Sequence, residues 1–210
     1  MGRYLDAKCK LCRRAGEKLF LKGERCFTPK CAMVRKPYAP GIHGKSGSRG
    51  LSEFGKQLAM KQKIKRIYGV AERQFRHHFD EVKHKTGVAG DLLIARLELR
   101  LDNVVYRSGF APSRTLARQL VGHGMFCVNG KALNIPSAAL KIGDVITIAE
   151  IKKGKNYFKN NEQIIKGKSD VPSWILFDVE KMEGKIVALP KREDVGIAIS
   201  PQDVVESYSK

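Results

Sequence analysis

Four cysteines near the start of the chain, Cys9, Cys12, Cys26 and Cys31, stand in the spacing C-x2-C-x13-C-x4-C. Two close pairs separated by a loop can bring four thiolates to the corners of a tetrahedron. A structural zinc ion takes such a shell, with every coordination position filled by protein. Residues 1–50 carry few large apolar side chains, so bound metal is the expected source of their folding energy, roughly 10–16 kcal/mol of apparent binding at neutral pH. The same thiolates suit an iron–sulfur cluster, or they stay as free thiols. A catalytic zinc is not expected, because no position is left open for a substrate. Cys127 falls in a strand pattern and is expected to be a small buried hydrophobe.

Charge points to the partner. Lys and Arg number 40 against 21 Asp and Glu, a net of +19. Self-repulsion of that size opposes compactness unless a polyanion neutralises it. Residues 1–66 hold 18 of the basic residues and four of the acidic ones, whereas residues 170–210 hold five and eight. The first third is therefore the main electrostatic footprint. No stretch approaches the ~20 apolar residues of a membrane span. Met1 to Leu11 has no apolar signal core with a cleavage site. A reducing cytosol is expected, where five Cys read as ligands or thiols before disulfides.

Residues 1–50 look irregular, and Gly41 to Gly50 (GIHGKSGSRG) reads as a mobile basic linker. Helical patterning begins at Ser52, an N-cap, with Phe54, Leu58, Ile64, Ile67 and Tyr68 as a rough apolar face and Gly69 as the stop. Ala71, Phe75, Phe79 and Val82 mark a second helix, with both Phe in the core. Leu93, Leu97, Leu101, Val104 and Val105 mark a third, ending by Gly109, and Ser113 caps a short fourth. The texture turns to strand at Met125. Asn129-Gly130 is a strong hairpin turn, because both central positions need positive φ. Gly143-Asp144 is a second turn, before Val145, Ile146 and Ile148. Residues 152–168 read as a long exposed excursion rich in Lys and Asn. Trp174–Val179 and Lys185–Leu189 read as extended segments, and Ser200-Pro201 opens a last helix.

The stretch from Arg100 to Asp144 contains RLDNVVYRSGF, Ser113-Arg114, ARQLVGHG, Val128-Asn129-Gly130-Lys131 and NIPS. It resembles the small RNA-binding module named after ribosomal small-subunit protein four, which also occurs in tyrosyl-tRNA synthetases, pseudouridine synthases and heat-shock RNA-binding proteins. GRYLDAKCKLCRR at 2–14, PYAPGIHG at 37–44, KQKIKRIYGV at 61–70 and VVESYS at 204–209 extend the likeness over nearly the whole chain. The chain thus resembles the bacterial-type family of ribosomal small-subunit protein four, in its zinc-binding form. Many relatives lack the four Cys. Relatives often fill positions 45–50 with arginines, where this chain has Gly and Ser with only Lys45 and Arg49.

The resemblance implies an α+β fold in three parts. Residues 1–50 form a basic zinc-knuckle arm and linker. Residues 51–98 form a helical domain completed by a C-terminal helix at 200–210. Residues 99–199 form an inserted RNA-binding module of short helices and a small antiparallel sheet, carrying the excursion. It further implies a structural constituent of the small ribosomal subunit that binds a multi-helix junction in the 5′ domain of 16S ribosomal RNA and nucleates assembly. The family's partners are small-subunit proteins five and three. The first contributes to decoding accuracy, and the second shares the channel by which mRNA enters. Some members repress their own mRNA.

The candidate RNA contacts follow from charge and place. In the arm they are Arg3, Lys8, Lys10, Arg13, Arg14, Lys22, Lys36, His43, Lys45 and Arg49. In the helical part they are Lys56, Lys61, Lys63, Arg66, Arg73 and Arg76. In the module they are Arg107, Arg114, Arg118, His123 and Lys131. Arg114 and Arg118 sit one turn apart at a helix start, where free N–H groups and a partial positive charge suit phosphate. Tyr4 and Tyr38 are candidates for stacking on a base. Catalysis is not expected. His77 and His78 lack an orienting carboxylate, Glu98, Asp102 and Asp144 read as dispersed, and no phosphate-binding glycine loop is present.

Overall fold

The computed structural model describes residues 4–46, 50–167, 170–196 and 200–209. The candidates Arg3 and Arg49 lie outside the described residues. The chain divides into two compact units, residues 1–93 with 197–210, and residues 94–196.

The first unit opens with a helix, not an irregular arm. Helix α1 (Lys8–Ala15) ends on Gly16 in the left-handed region, which glycine enters without a Cβ clash. A single 3-10 turn (Gly23–Cys26) and the short α2 (Ala32–Arg35) follow. A second 3-10 turn, Ile42–Lys45, stands within the expected linker. In α3 (Glu53–Tyr68) the Ser52 hydroxyl accepts from the Gly55 N–H at 3.2 Å, and Gly69 closes the C-terminus. Its buried stripe differs from the expected one. Phe54 and Leu58 are exposed, while Gln57 and Lys63 are buried beside Ile64 and Ile67. The buried set keeps helical spacing through two polar residues, each satisfied by a partner. Gln57 donates to Glu206 at 2.7 Å, and Lys63 pairs with Glu17 at 2.6 Å.

Helix α4 (Glu72–Lys83) buries Phe75, Phe79 and Val82, as its periodicity predicts. The C-terminal helix, Pro201–Ser209, packs on α3 and buries Val204. Tyr208 fastens it. Its ring stacks on Phe79 at 4.7 Å and on Phe75 at 6.2 Å, Lys61 lies 4.8 Å over the ring, and its hydroxyl donates to Glu72 at 2.9 Å.

In the second unit the expected long helix is two. Helix α5 (Ala89–Glu98), in which the division between the units falls, is followed by α6 (Leu101–Arg107). The break at Leu99-Arg100 has a backbone cause. The Leu99 carbonyl accepts from the Leu140 N–H, and the Leu101 N–H donates to the Ala138 carbonyl, both at 2.9 Å. Helix α7 (Arg114–Gly122) carries the expected cap, its Ser113 hydroxyl accepting from the Leu116 N–H at 3.3 Å.

Strands β1 (Phe126–Val128) and β2 (Lys131–Ala132) form the expected hairpin, with Asn129 at φ +50° and Gly130 at φ +78°. Then come β3 (Val145–Ile148), α8 (Glu150–Lys153), α9 (Asn156–Lys166), β4 (Ile175–Asp178) and β5 (Glu183–Ile186). The strands make one antiparallel sheet in the order β2-β1-β3-β5-β4. The excursion expected at 152–168 is instead largely helix. Phe158 and Ile165 of α9 join the core formed by Val104, Phe110, Val121, Phe126, Ile146 and Trp174. Their spacing of seven puts both on one helical face, and the Tyr157 hydroxyl, donating to the Phe110 carbonyl at 2.8 Å, fixes that face. Cys127 is half-buried rather than buried. No helix among the described residues is long and apolar enough to cross a membrane.

Candidate nucleic-acid interface

The four thiols come together around one small cavity. Cys9 and Cys12 sit a turn apart on α1, Cys26 ends the first 3-10 turn, and Cys31 directly precedes α2. With Lys8, Leu21, Lys22, Ala32 and Met33 they line a space of about 10 Å³, room for an ion. The Lys22 N–H points to the Cys26 sulfur at 3.4 Å. Burial pushes the Cys12 thiol up, and the neighbouring Cys26, Cys9 and Cys31 add to this against a backbone hydrogen bond from Leu19. Among the described residues, no three His, Cys, Asp or Glu side chains are drawn in tightly enough to form a finished ligand set.

The cations fall into two groups, and burial separates them. In the first unit Lys10, Arg14, Lys22 and Lys36 are exposed and form no ion pair among the described residues. His43, Lys45, Arg73 and Arg76 are exposed as well. Arg66 is half-buried. Burial lowers its pKa, and the nearby positive charge of Arg14 lowers it further. Tyr4 acts in the opposite direction. Arg25, Lys30 and Arg35, which residue patterning did not single out, are exposed on the same arm.

Other candidates in this unit work inside it. Lys8 donates to the Tyr4 carbonyl at 2.7 Å and lies 5.2 Å over the Tyr4 ring. Arg13 donates to the carbonyls of Tyr38 and Ala39 at 2.9 and 3.1 Å. Lys61 and Lys65 both pair with Glu72, whereas Lys56 stays at the surface in an exposed pair with Glu53 at 3.2 Å. Burial alone would raise the Glu72 carboxyl. Hydrogen bonds from Lys65, Lys61 and Tyr208 outweigh burial and hold it at about 2.

In the second unit the expected arginine pair has an inner role. Glu98 and Asp102, which read as dispersed in the sequence, each gather arginines around a buried carboxylate. Glu98 is fully buried. It accepts from Arg107 at 2.8 and 2.9 Å and from the Asn103 side-chain amide at 2.7 Å, with Arg114 at 3.8 Å. Asp102 accepts from Arg100 at 3.1 and 3.2 Å and from Arg118 at 2.6 and 2.7 Å. Arg114 also donates to the Asn103 side-chain oxygen at 2.7 Å and lies 4.5 Å over the Tyr106 ring. Arg107 on α6 meets Glu98, and Arg118 on α7 meets Asp102, so it is tertiary packing that supplies these partners. The exposed basic residues here include His123, Lys131 on the edge strand, and Lys141, Lys155, Lys159 and Lys185.

Chemically this is a binding surface. The two buried carboxylates of the second unit, Glu98 and Asp102, are each held by arginine, which disfavours either as a general base. Residues 3–98 match the family profile described as ribosomal protein S4/S9 N-terminal domain, and residues 99–146 match the S4 domain. The small ribosomal subunit protein uS4 of Ruminiclostridium cellulolyticum is 52% identical over 210 residues, all of both chains. Those of Acetivibrio thermocellus and Thermus thermophilus are 52% and 50% identical over the same full lengths. A cationic thiol-bearing unit joined to an S4 domain defines a ribosomal protein of the RNA-binding class, not an enzyme. The chain belongs to the small ribosomal subunit protein uS4 family.

Proposed function

We propose that this chain binds 16S ribosomal RNA at a multi-helix junction of the 5′ domain and nucleates small-subunit assembly there. The observation that carries this reading is the set of exposed cations on the first unit, Lys10, Arg14, Lys22 and Lys36, without acidic partners among the described residues. Phosphate contacts of this kind supply affinity through counterion release, so binding falls steeply with salt. Small-subunit proteins five and three are the neighbours that fit this place. The first would link the chain to decoding accuracy, and a similar RNA fold in its own mRNA would make that message a second target.

The four thiols carry a second part of the reading, a zinc ion held by Cys9, Cys12, Cys26 and Cys31. The donor set suits zinc: four sulfurs around one ion-sized cavity, with a backbone N–H already directed at one of them. Bound zinc would supply only structural cross-linking, tying α1 to the turn and to α2. The cations on those elements would then dock with little loss of entropy.

Chemical footprinting of small-subunit RNA with and without the protein, combined with elemental analysis, tests both parts. The expected result is protection at one junction and one zinc per chain, lost in Cys26→Ser. Equal affinity for arbitrary RNA of the same length would refute the first part. Iron with sulfide, or no metal, would refute the second.

A further inference from the structure

The segment 37–46 is built more firmly than its Gly- and Pro-rich sequence suggests. Arg13 of α1 reaches the Tyr38 and Ala39 carbonyls with two N–H groups, at 2.9 and 3.1 Å, and its guanidinium lies 4.8 Å over the Tyr38 ring. Lys45 covers the same ring at 5.6 Å. The turn closes on itself. The Gly44 N–H donates to the Gly41 carbonyl, and the Ser46 N–H and hydroxyl both donate to the His43 carbonyl. A Cβ at position 44 would lie 1.9 Å from the Ala39 carbonyl oxygen, so only glycine permits this closure.

What this anchored turn presents outward is apolar. Ile42 is 96% exposed at its start, beside exposed His43 and Lys45. From residue 25 to residue 52 the sequence has no carboxylate, while Arg25, Lys30, Arg35, Lys36 and Lys45 lie in that span. An isolated exposed isoleucine is ordinary on a protein surface. One held on a pinned turn, within a carboxylate-free and lysine- and arginine-bearing stretch of chain, is complementary to a ligand with phosphates outside and flat apolar faces between them. Folded RNA has that chemistry, since apolar side chains pack on bases and sugars between phosphate contacts.

We propose that the turn at 41–45 is a preformed RNA-contacting wedge, with Ile42 packing on a base or ribose face while Lys45 and His43 hold the flanking backbone. This rests on the RNA-binding reading above. Arg13 acts as a positioning residue for the wedge and not as a phosphate contact.

The test uses the full chain and a 16S 5′-domain RNA fragment, with Kd measured across a salt series. Ile42→Ser removes the apolar contact alone. Its Kd is expected to rise roughly five- to tenfold, as for losing about half of an isoleucine's buried apolar surface. The slope of log K against log salt should stay unchanged, because no phosphate contact is lost. Ile42→Leu should keep wild-type affinity. Lys45→Ala should show the converse signature, a shallower slope by about one contact. Because the Ile42 side chain is almost wholly exposed, Ile42→Ser should unfold like the wild type. An Ile42→Ser affinity within twofold of wild type at every salt concentration would overturn the wedge. A wild-type chain that does not prefer the fragment to arbitrary RNA would overturn the reading beneath it instead.

Discussion

Replacing Glu98 by alanine isolates the energetics of the second unit. The carboxylate is fully buried and faces Arg107 and Arg114, whose side chains are 14% and 12% exposed. Truncation removes one negative charge and leaves both cations poorly solvated, with the Asn103 amide losing an acceptor as well. Removing one partner of a buried ion pair typically costs about 3–5 kcal/mol, since the orphaned charge keeps its desolvation penalty. A unit of this size has about 5–15 kcal/mol in all. Glu98→Ala should therefore lose about a fifth or more of its stability. Native-state hydrogen exchange of the α6 and α7 amides, with denaturant melts of the full chain, measures this. Pairing it with Arg107→Met removes one orphaned cation, so the double variant should be more stable than the sum of the single losses implies, by at least ~1 kcal/mol. A loss below ~1 kcal/mol for Glu98→Ala, or a coupling near zero, would refute the argument, because the arginines would then be solvated independently of the carboxylate.

Arg118→Ala should destabilise the fold by about 1–3 kcal/mol, by leaving Asp102 one hydrogen-bonding cation short. Lys10→Ala with Lys22→Ala should leave stability within ~0.5 kcal/mol of wild type and lower the salt slope of RNA binding by about two contacts. The opposite pattern in melts and salt titrations would reverse the division between inner and outer cations. Glu72→Gln tests the clasp on Tyr208. The Glu72 carboxyl is held at about 2 against an ordinary 4.5, so its contribution is fully present above pH 4.5 and disappears as pH falls toward 2. The carboxylate is 47% exposed, so solvent screening limits the difference from wild type to about 1 kcal/mol. That difference should shrink across this window, and one that grew on acidification would contradict the clasp. Tyr208→Ala should cost about 1–3 kcal/mol and speed amide exchange in the C-terminal helix, whereas Tyr208→Phe should keep most of the ring packing. Unaltered exchange in Tyr208→Ala would remove the stack from the account.

Much of the local structure was legible in the chain. Ser52 and Ser113 announced helix starts, and Asn129-Gly130 announced the hairpin, because each depends on a cap or a positive φ that a few residues settle by themselves. The Phe75–Phe79–Val82 stripe was readable for a similar reason. Other features were not. The break between α5 and α6 depends on carbonyl and N–H groups claimed by residues near 138–140. The helix at 156–166 was masked by its Lys and Asn content, since only the core shows that Phe158 and Ile165 have a partner surface. The exposure of Phe54 and Leu58 followed from the stripe that runs through Gln57 and Lys63, whose partners lie at Glu206 and Glu17.

The sequence by itself determined the family, the cationic character of the first third and the grouping of four thiols, because composition and spacing belong to the chain whatever its fold. Only the tertiary structure decided which cations are free to meet RNA. A guanidinium looks the same in sequence whether it faces water or a buried carboxylate. Arg114 and Arg118 are drawn inward because packing delivers Glu98 and Asp102 to them, while Lys10 and Lys22 stay outside because, among the described residues, packing delivers no acid to them.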